Sequence, residues 1–159
     1  MMGRRNAPPR SLEARAVGLL ARRDYSQAEL RARLLATGAA AEEVDVLLTA
    51  LIARGYLSDD RFARSMIGKK TGAYSRRAIA EALKAKGVAG DVATQAFAEH
   101  PQDDDAALVA LWRRRFGQAP VNEREKARQV RFLQSRGFSL SAIFRLLRNP
   151  PIDADEAQE

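Results

Sequence analysis

Cysteine is absent from the 159 residues. That excludes a disulfide framework and a thiolate metal site, and it suits a reducing compartment. Histidine occurs once, as His100, beside Pro101 where a helix should stop. Its imidazole is read as a partner for the helix C-terminal dipole rather than as a catalytic base. With no cysteine and no second histidine, neither a catalytic triad nor a His-based metal site can be assembled. Strand signals are nearly missing, because β-branched residues seldom alternate with polar ones. No apolar run approaches the ~20 residues that cross a bilayer. Met1 to Pro9 carries Arg4 and Arg5 without an apolar stretch, unlike a signal peptide. These absences predict a cytoplasmic protein that is not an enzyme, needs no cofactor or metal, and has no membrane partner.

Two short runs resemble chemistry and fail as chemistry. Asp103, Asp104 and Asp105 could ligate magnesium. Consecutive carboxylates on a helix point in different directions, however, so the run is read as a helix start. Gly68-Lys69-Lys70-Thr71-Gly72 looks like a fragment of a phosphate-binding loop. It lacks the earlier glycine, carries Lys70 in the Ser/Thr place and follows no strand. The two glycines are expected to end a helix and form a flexible joint.

What is present is positive charge, and it is unevenly spread. The formal net charge is +7. Residues 11–58 hold six basic and six acidic residues, which cancel. Residues 112–148 hold ten basic residues against Glu123 and Glu125. The sign reverses again through Asp153, Asp155, Glu156 and Glu159. A locally basic C-terminal half points to an acidic partner, either nucleic acid or an acidic protein groove.

Helix signals run throughout. Ser11, Ser26, Ser58, Ser75 and Ser139 stand at helix starts, and Ser26 with Glu29 forms a capping box. Asn122 with Glu125 resembles a second box, and Asp91 is read as the start of a sixth helix. Apolar residues recur at helical spacing. The inward faces are Leu12, Ala16, Leu19 and Leu20; Leu30 and Leu34; Val44, Leu47, Leu48, Leu51 and Ile52; Phe62, Ala63 and Met66; Ile79 and Leu83; Val92, Ala96 and Phe97; Leu108, Leu111 and Trp112; Val130 and Leu133; and Leu140, Ile143, Phe144 and Leu147.

Nine short helices fall into three groups of three. Ser26 to Gly38, Ser75 to Gly87 and Glu125 to Gly137 carry Leu34, Leu83 and Leu133 at matching offsets. A period of about fifty residues is the signature of a repeat array whose units pack on their neighbours. The expected fold is all-α, an elongated array of three tandem three-helix repeats. Residues 1–10 form an N-terminal arm, 11–58 the first repeat, 59–101 the second, 102–149 a strongly basic third, and 150–159 an acidic tail.

The candidate functional residues are cations. Arg124, Arg128 and Arg131 recur at i, i+4 and i+7, a single stripe on the eighth helix. Arg113, Arg114 and Arg115 lie on the helix before it, and Arg136, Arg145 and Arg148 follow. Lys69, Lys70, Arg76, Arg77 and Lys84 add charge in the second repeat. Arginine suits phosphate and carboxylate because its planar fork donates two hydrogen bonds at once. Tyr25, Tyr56, Tyr74 and Trp112 are read as packing residues rather than base-stacking platforms. Contact with a backbone or an acidic groove is therefore favoured over sequence reading. The rival is a helix-turn-helix DNA-binding protein. It should place similar polar residues at the start of each recognition helix, where Glu29, Arg76-Arg77 and Glu123-Arg124 disagree.

Several strings resemble the RecX family of RecA-recombinase modulators. Leu20-Ala21-Arg22-Arg23-Asp24-Tyr25-Ser26 with Glu29, Leu30 and Leu34 looks like its first repeat. Gly55-Tyr56-Leu57-Ser58-Asp59-Asp60-Arg61-Phe62-Ala63 looks like its most distinctive motif. Gly72, Ile79, Leu83 and Lys86-Gly87-Val88 are similar to its second repeat, and Phe132 to Ser139 with Ile143 to its third. Ala78 departs from the pattern, standing where a basic residue is expected. The resemblance covers residues 11–148. The chain is expected to act as a monomer, and the resemblance implies binding along the groove of the RecA–DNA filament. It also implies modulation, usually inhibition, of ATPase and strand exchange. Binding to single- or double-stranded DNA alone should be weak and without sequence preference.

Overall fold

The structure is a computed structural model in which residues 10–151 are described. Among them, nine α-helices follow in order: α1 (Leu12–Leu20), α2 (Gln27–Leu35), α3 (Ala41–Ala53), α4 (Asp59–Lys70), α5 (Arg76–Ala85), α6 (Gly90–Glu99), α7 (Asp104–Arg115), α8 (Glu123–Ser135) and α9 (Leu140–Arg148). No strand forms among the described residues; one isolated β-bridge joins Thr71 and Tyr74. The expected N-terminal arm and acidic tail fall, apart from Arg10, Pro150 and Pro151, outside the described residues.

The helix starts follow local chemistry. The hydroxyls of Ser11, Ser26, Ser58, Ser75 and Ser139 each accept the backbone N–H three residues on. Asp103 caps α7 by accepting from Asp105 and Ala106, so the aspartate run is a helix start. Each such cap satisfies a donor that the first helical turn leaves orphaned. Ser26 and Glu29 complete a reciprocal capping box. Asn122 accepts from the Glu125 N–H at 2.9 Å, but the Glu125 carboxylate accepts from Val121 at 3.0 Å, so the return bond falls one residue early. Asp91 is not a cap: α6 begins at Gly90 behind Ala89, which offers no side-chain bond.

The helices bury three separate apolar clusters. In unit 1 (α1–α3) the cluster includes Leu30, Leu34, Val44 and Leu51. In unit 2 (α4–α6) it includes Ala63, Ile67, Ile79 and Leu83. In unit 3 (α7–α9) Leu108, Trp112, Leu133 and Ile143 meet. The Trp112 indole N–H donates to Gln129 at 3.0 Å, and the Gln129 amide donates to the Gln118 carbonyl at 3.1 Å. That pairing accounts for a glutamine inside a core.

Four residues expected to pack inward lie at the surface instead. Ile52, Tyr56, Leu140 and Phe144 are 42%, 55%, 43% and 40% exposed. Periodicity marks the middle of a helix face, and Ile52, Leu140 and Phe144 sit beyond the edge that neighbouring helices cover, while Tyr56 lies in the turn between α3 and α4. Conversely, Ile67 and Leu146 are buried although the apolar pattern does not single them out.

The units join through a repeated junction. The Ser26 hydroxyl donates to the Lys86 carbonyl at 2.7 Å, and the Gln27 N–H donates to Asp59 at 2.8 Å. One unit on, the Ser75 N–H donates to the Arg136 carbonyl at 2.9 Å and the Arg76 N–H to Asp104 at 3.0 Å. The C-terminal end of α8 thus meets the start of α5, and the end of α5 meets the start of α2. Opposite ends of helix dipoles face one another, a favourable order. The approach is close. A Cβ added at Gly87 would lie 2.6 Å from Ala28 Cβ, and one at Gly137 would lie 2.5 Å from Ala78 Cβ and 2.4 Å from Ser75 Oγ. Both glycines also have positive φ, 78° and 91°, which side chains disfavour.

The joint after α4 also differs from expectation. Gly68 lies inside the helix, which runs to Lys70. Only Gly72 has positive φ, and its N–H and carbonyl are held by Gln102 at 2.9 Å and Arg114 at 3.3 Å. Tertiary hydrogen bonds across the unit boundary pin what local sequence reads as flexible.

Candidate protein and nucleic-acid interface

The cations of the three units meet different partners. In units 1 and 2, Arg23 and Lys86 pair with Glu29, Arg31 with Asp45, Arg54 with Glu13, Arg61 with Asp24, Arg64 with Asp60 and Glu99, and Arg77 with Glu81. Glu29 is the most enclosed of these carboxylates. Burial raises its pKa, but the hydrogen bonds from Arg23, Lys86 and the Ser26 backbone outweigh burial and hold it below the ordinary range. Among the described residues, Arg114, Arg115, Arg124, Arg128, Arg131, Arg136 and Arg145 form no ion pair.

Aromatic rings organise several of these cations instead. Phe116, at the end of α7, meets Phe132 of α8 edge-on, centroids 5.6 Å apart at 86°. The Arg115 guanidinium lies 5.0 Å and that of Arg136 5.1 Å from the Phe132 centroid. Arg136 also lies 4.6 Å from the Tyr74 ring, whose other neighbour is Lys70 at 4.3 Å. Arg128 reaches Phe116 at 5.9 Å. A seam of Lys70, Arg136, Arg115 and Arg128 therefore runs from unit 2 into unit 3. A ring attracts a cation through its quadrupole without cancelling the charge. The seam holds long side chains in place and leaves their positive charge available.

Arg124, Arg128 and Arg131 are exposed on one face of α8, as their spacing requires. Arg128 connects that stripe to the seam through Phe116, which meets Phe132. Arg114 and Arg115 join through Gly72 and Phe132; Arg113 is exposed on the same last turn of α7. Other candidates lie apart. Arg145 lines a groove with Lys126, Arg148 and Phe144. Lys126 is two residues from both Arg124 and Arg128, so it points to the opposite side of α8. Arg76 lies over Phe97 at 4.9 Å. Arg77 is 3.4 Å from Glu81, which offsets its charge. Lys69 and Lys84 are exposed on α4 and α5. Sequence inspection missed Phe116, Phe132 and Tyr74 as the ring scaffold, and Lys126 beside Phe144. Only the i, i+4 spacing of Arg128, Phe132 and Arg136 hinted at it.

No group of three His, Cys, Asp or Glu residues that could hold a metal comes together among the described residues. Asp104 accepts from the Arg76 N–H and from Gln102 at 2.7 Å, a structural use of its carboxylate. No helix among the described residues is long and apolar enough to cross a membrane.

Comparison with known proteins agrees with the repeat architecture. Residues 58–96 match the sequence model of the second three-helix domain of RecX, and residues 102–147 match that of the third. The regulatory protein RecX of Ralstonia pickettii is 38% identical over 151 residues, covering 95% of this chain and 92% of that protein. The regulatory protein RecX of Chromobacterium violaceum is 39% identical over 141 residues, covering 89% and 91%. The crystal structure of RecX from Lactobacillus salivarius has the same fold, with a TM-score of 0.66 at 16% identity over 86% of this chain and 92% of that one. On the sequence matches and the shared array of three-helix units, the chain belongs to the RecX family of regulatory proteins.

Proposed function

We propose that this chain acts in the cytoplasm as a monomer, without catalysis, by docking on a RecA–DNA filament and restraining its ATPase and strand exchange. The observation that carries the reading is the seam of ring-braced cations, Lys70, Arg115, Arg128 and Arg136, continuous with the Arg124–Arg131 stripe. A filament offers two acidic surfaces, DNA phosphates and carboxylates of the protein coat. A planar guanidinium suits either. Arg114, Arg115, Arg124, Arg128, Arg131, Arg136 and Arg145 lack carboxylate partners among the described residues, so their docking does not first require breaking ion pairs. Residues 11–58, 59–101 and 102–149 act as three units along the filament, with the third making the principal contact. Binding to DNA alone is weak, salt-dependent and indifferent to sequence.

The helix-turn-helix alternative meets an obstacle. Reading bases requires an accessible first turn on the recognition helix. The caps that open α2 and α5, Ser26 and Ser75, are buried in the unit junctions, and the exposed residues beside them, Ala28 and Arg76-Arg77, do not agree from unit to unit. The test compares pull-down on RecA filaments with pull-down on naked DNA. Retention on filaments at a salt concentration that strips naked DNA is expected. A footprint on one defined DNA sequence that survives high salt would favour the alternative.

A further inference from the structure

Unit 1 contains a second cluster of cations that its neutral charge sum conceals. Arg15, Gly18 and Leu19 share one face of α1 through i, i+3 and i+4 spacing, and Arg22 follows in the turn after the helix. That face meets Arg33 and Thr37 at the end of α2, and Arg10 closes the space, leaving a cavity of about 260 Å³. Arg10, Arg15, Arg22 and Arg33 form no ion pair among the described residues. No carboxylate lines the cavity among the described residues. Four unit 1 carboxylates are engaged elsewhere: Glu13 with Arg54, Asp24 with Arg61, Glu29 with Arg23 and Lys86, and Asp45 with Arg31. Glu42 and Glu43 occupy the first turn of α3.

Gly18 is the second observation. It lies within α1, has no positive φ, and has only the Arg10 guanidinium within 4 Å of where a Cβ would stand, at 3.9 Å. Glycine is among the poorest formers of a helix interior. Its place here leaves the cavity floor open.

We propose that this cavity is a phosphate-binding site that takes the sugar–phosphate backbone of a nucleic-acid strand. Several guanidiniums around one small space match the bidentate geometry of phosphate oxygens. No aromatic ring lines the cavity among the described residues, so it grips backbone rather than a stacked base. The proposal rests on the reading that the partner contains nucleic acid, and it gives the chain two phosphate-binding regions, one at each end of the array. Unit 1 then contributes to salt dependence as unit 3 does.

The test measures binding of the full chain to a fluorescent oligothymidylate across a salt series. Three variants are compared: Gly18→Leu, the triple Arg15→Ala, Arg22→Ala, Arg33→Ala, and the unit 3 triple Arg124→Glu, Arg128→Glu, Arg131→Glu. Gly18→Leu keeps every charge and adds a better helix former, so the protein remains folded while the floor is filled. We expect Gly18→Leu to weaken binding about tenfold. Like the alanine triple, it should make the salt slope shallower by about 0.7 for each phosphate of the single strand that is no longer neutralised. Unchanged affinity and slope in both unit 1 variants would overturn the site. Loss of polyglutamate binding with oligothymidylate binding intact would also overturn it, because the occupant would then be an acidic protein segment. Full binding by the unit 3 variant, with loss in the unit 1 variants, would leave this site standing and count against the seam.

Discussion

Units 1 and 3 share an architecture and differ in what their cations face. Each stacks three helices on a cluster centred on one fully buried leucine of the middle helix, Leu34 or Leu133. In unit 1, Arg31 and Arg54 each pair with a carboxylate, and Arg23, though 3.6 Å over the Tyr25 ring, is also paired with Glu29. In unit 3, Arg115, Arg128 and Arg136 lie over phenylalanine and tyrosine rings. The same side chain therefore does two jobs. Beside a carboxylate it helps close the fold and contributes little outward charge; over a ring it is positioned while remaining positive. The repeat supplies a scaffold, and the partner of each arginine decides whether it belongs to the scaffold or to the interface.

The largest effects should fall on what the units have in common. Leu133→Ala is expected to lower stability by roughly 2–5 kcal/mol, as is Leu34→Ala, since both leucines are fully buried. Urea unfolding of the two variants checks this, and a much smaller loss in one would show that the cores are not equivalent. The glycine stops should separate next. Gly38 has no atom within 4 Å of an added Cβ, so Gly38→Ala should cost only the positive-φ penalty of about 1–2 kcal/mol. Gly137→Ala adds a collision with Ser75 and Ala78 and should cost more. Equal melting losses would break the junction described here.

Surface effects come after these. Phe132→Leu keeps apolar burial but removes the ring beneath Arg115 and Arg136, two cation–ring interactions of about 0.5–1 kcal/mol each. It should weaken filament binding several-fold and lower melting by only a few degrees, less than Leu133→Ala does. The pH response should localise to unit 1 and its junction. Because Glu29 titrates below its unfolded value, its contribution is complete above the ordinary carboxylate range and vanishes as pH falls through the folded value. Acid unfolding of Glu29→Gln should accordingly lose part of the downturn that the unmodified chain shows below about pH 4.5. Asp45, exposed and lowered mainly by its hydrogen bond with Arg31, should matter least, and Asp45→Asn should melt as the unmodified protein does.

The helices and their repeat were legible because their determinants are local. A serine hydroxyl reaches an N–H three residues away, and a glycine stop needs only its own backbone. The glycine spacing was visible too, but its reason was not, since Gly87 and Gly137 press on Ala28 and Ala78 in other units. Ile52, Leu140 and Phe144 show the same boundary. Helical period identifies a face, whereas only neighbouring helices decide how wide a strip they cover. At the interface, the Arg124–Arg128–Arg131 stripe follows from helix geometry. The seam does not, because Lys70, Tyr74 and Arg136 meet only when α4, α5 and α8 pack. The cluster of Arg10, Arg15, Arg22 and Arg33 was hidden for a related reason: a charge sum over residues 11–58 erases the separation of paired from unpaired arginines.

The most direct measurement is RecA ATPase on DNA, titrated with two charge-reversed variants. One carries Arg124→Glu, Arg128→Glu and Arg131→Glu in unit 3; the other carries Arg31→Glu and Arg54→Glu in unit 1. All five side chains are exposed, and exposed substitutions usually change stability by about 0.5 kcal/mol or less. The unit 3 variant should remain folded and lose inhibition sharply, while the unit 1 variant should inhibit nearly as the unmodified protein does. A folded unit 3 variant that still inhibits fully would show that the ring-braced surface is only a solvated face.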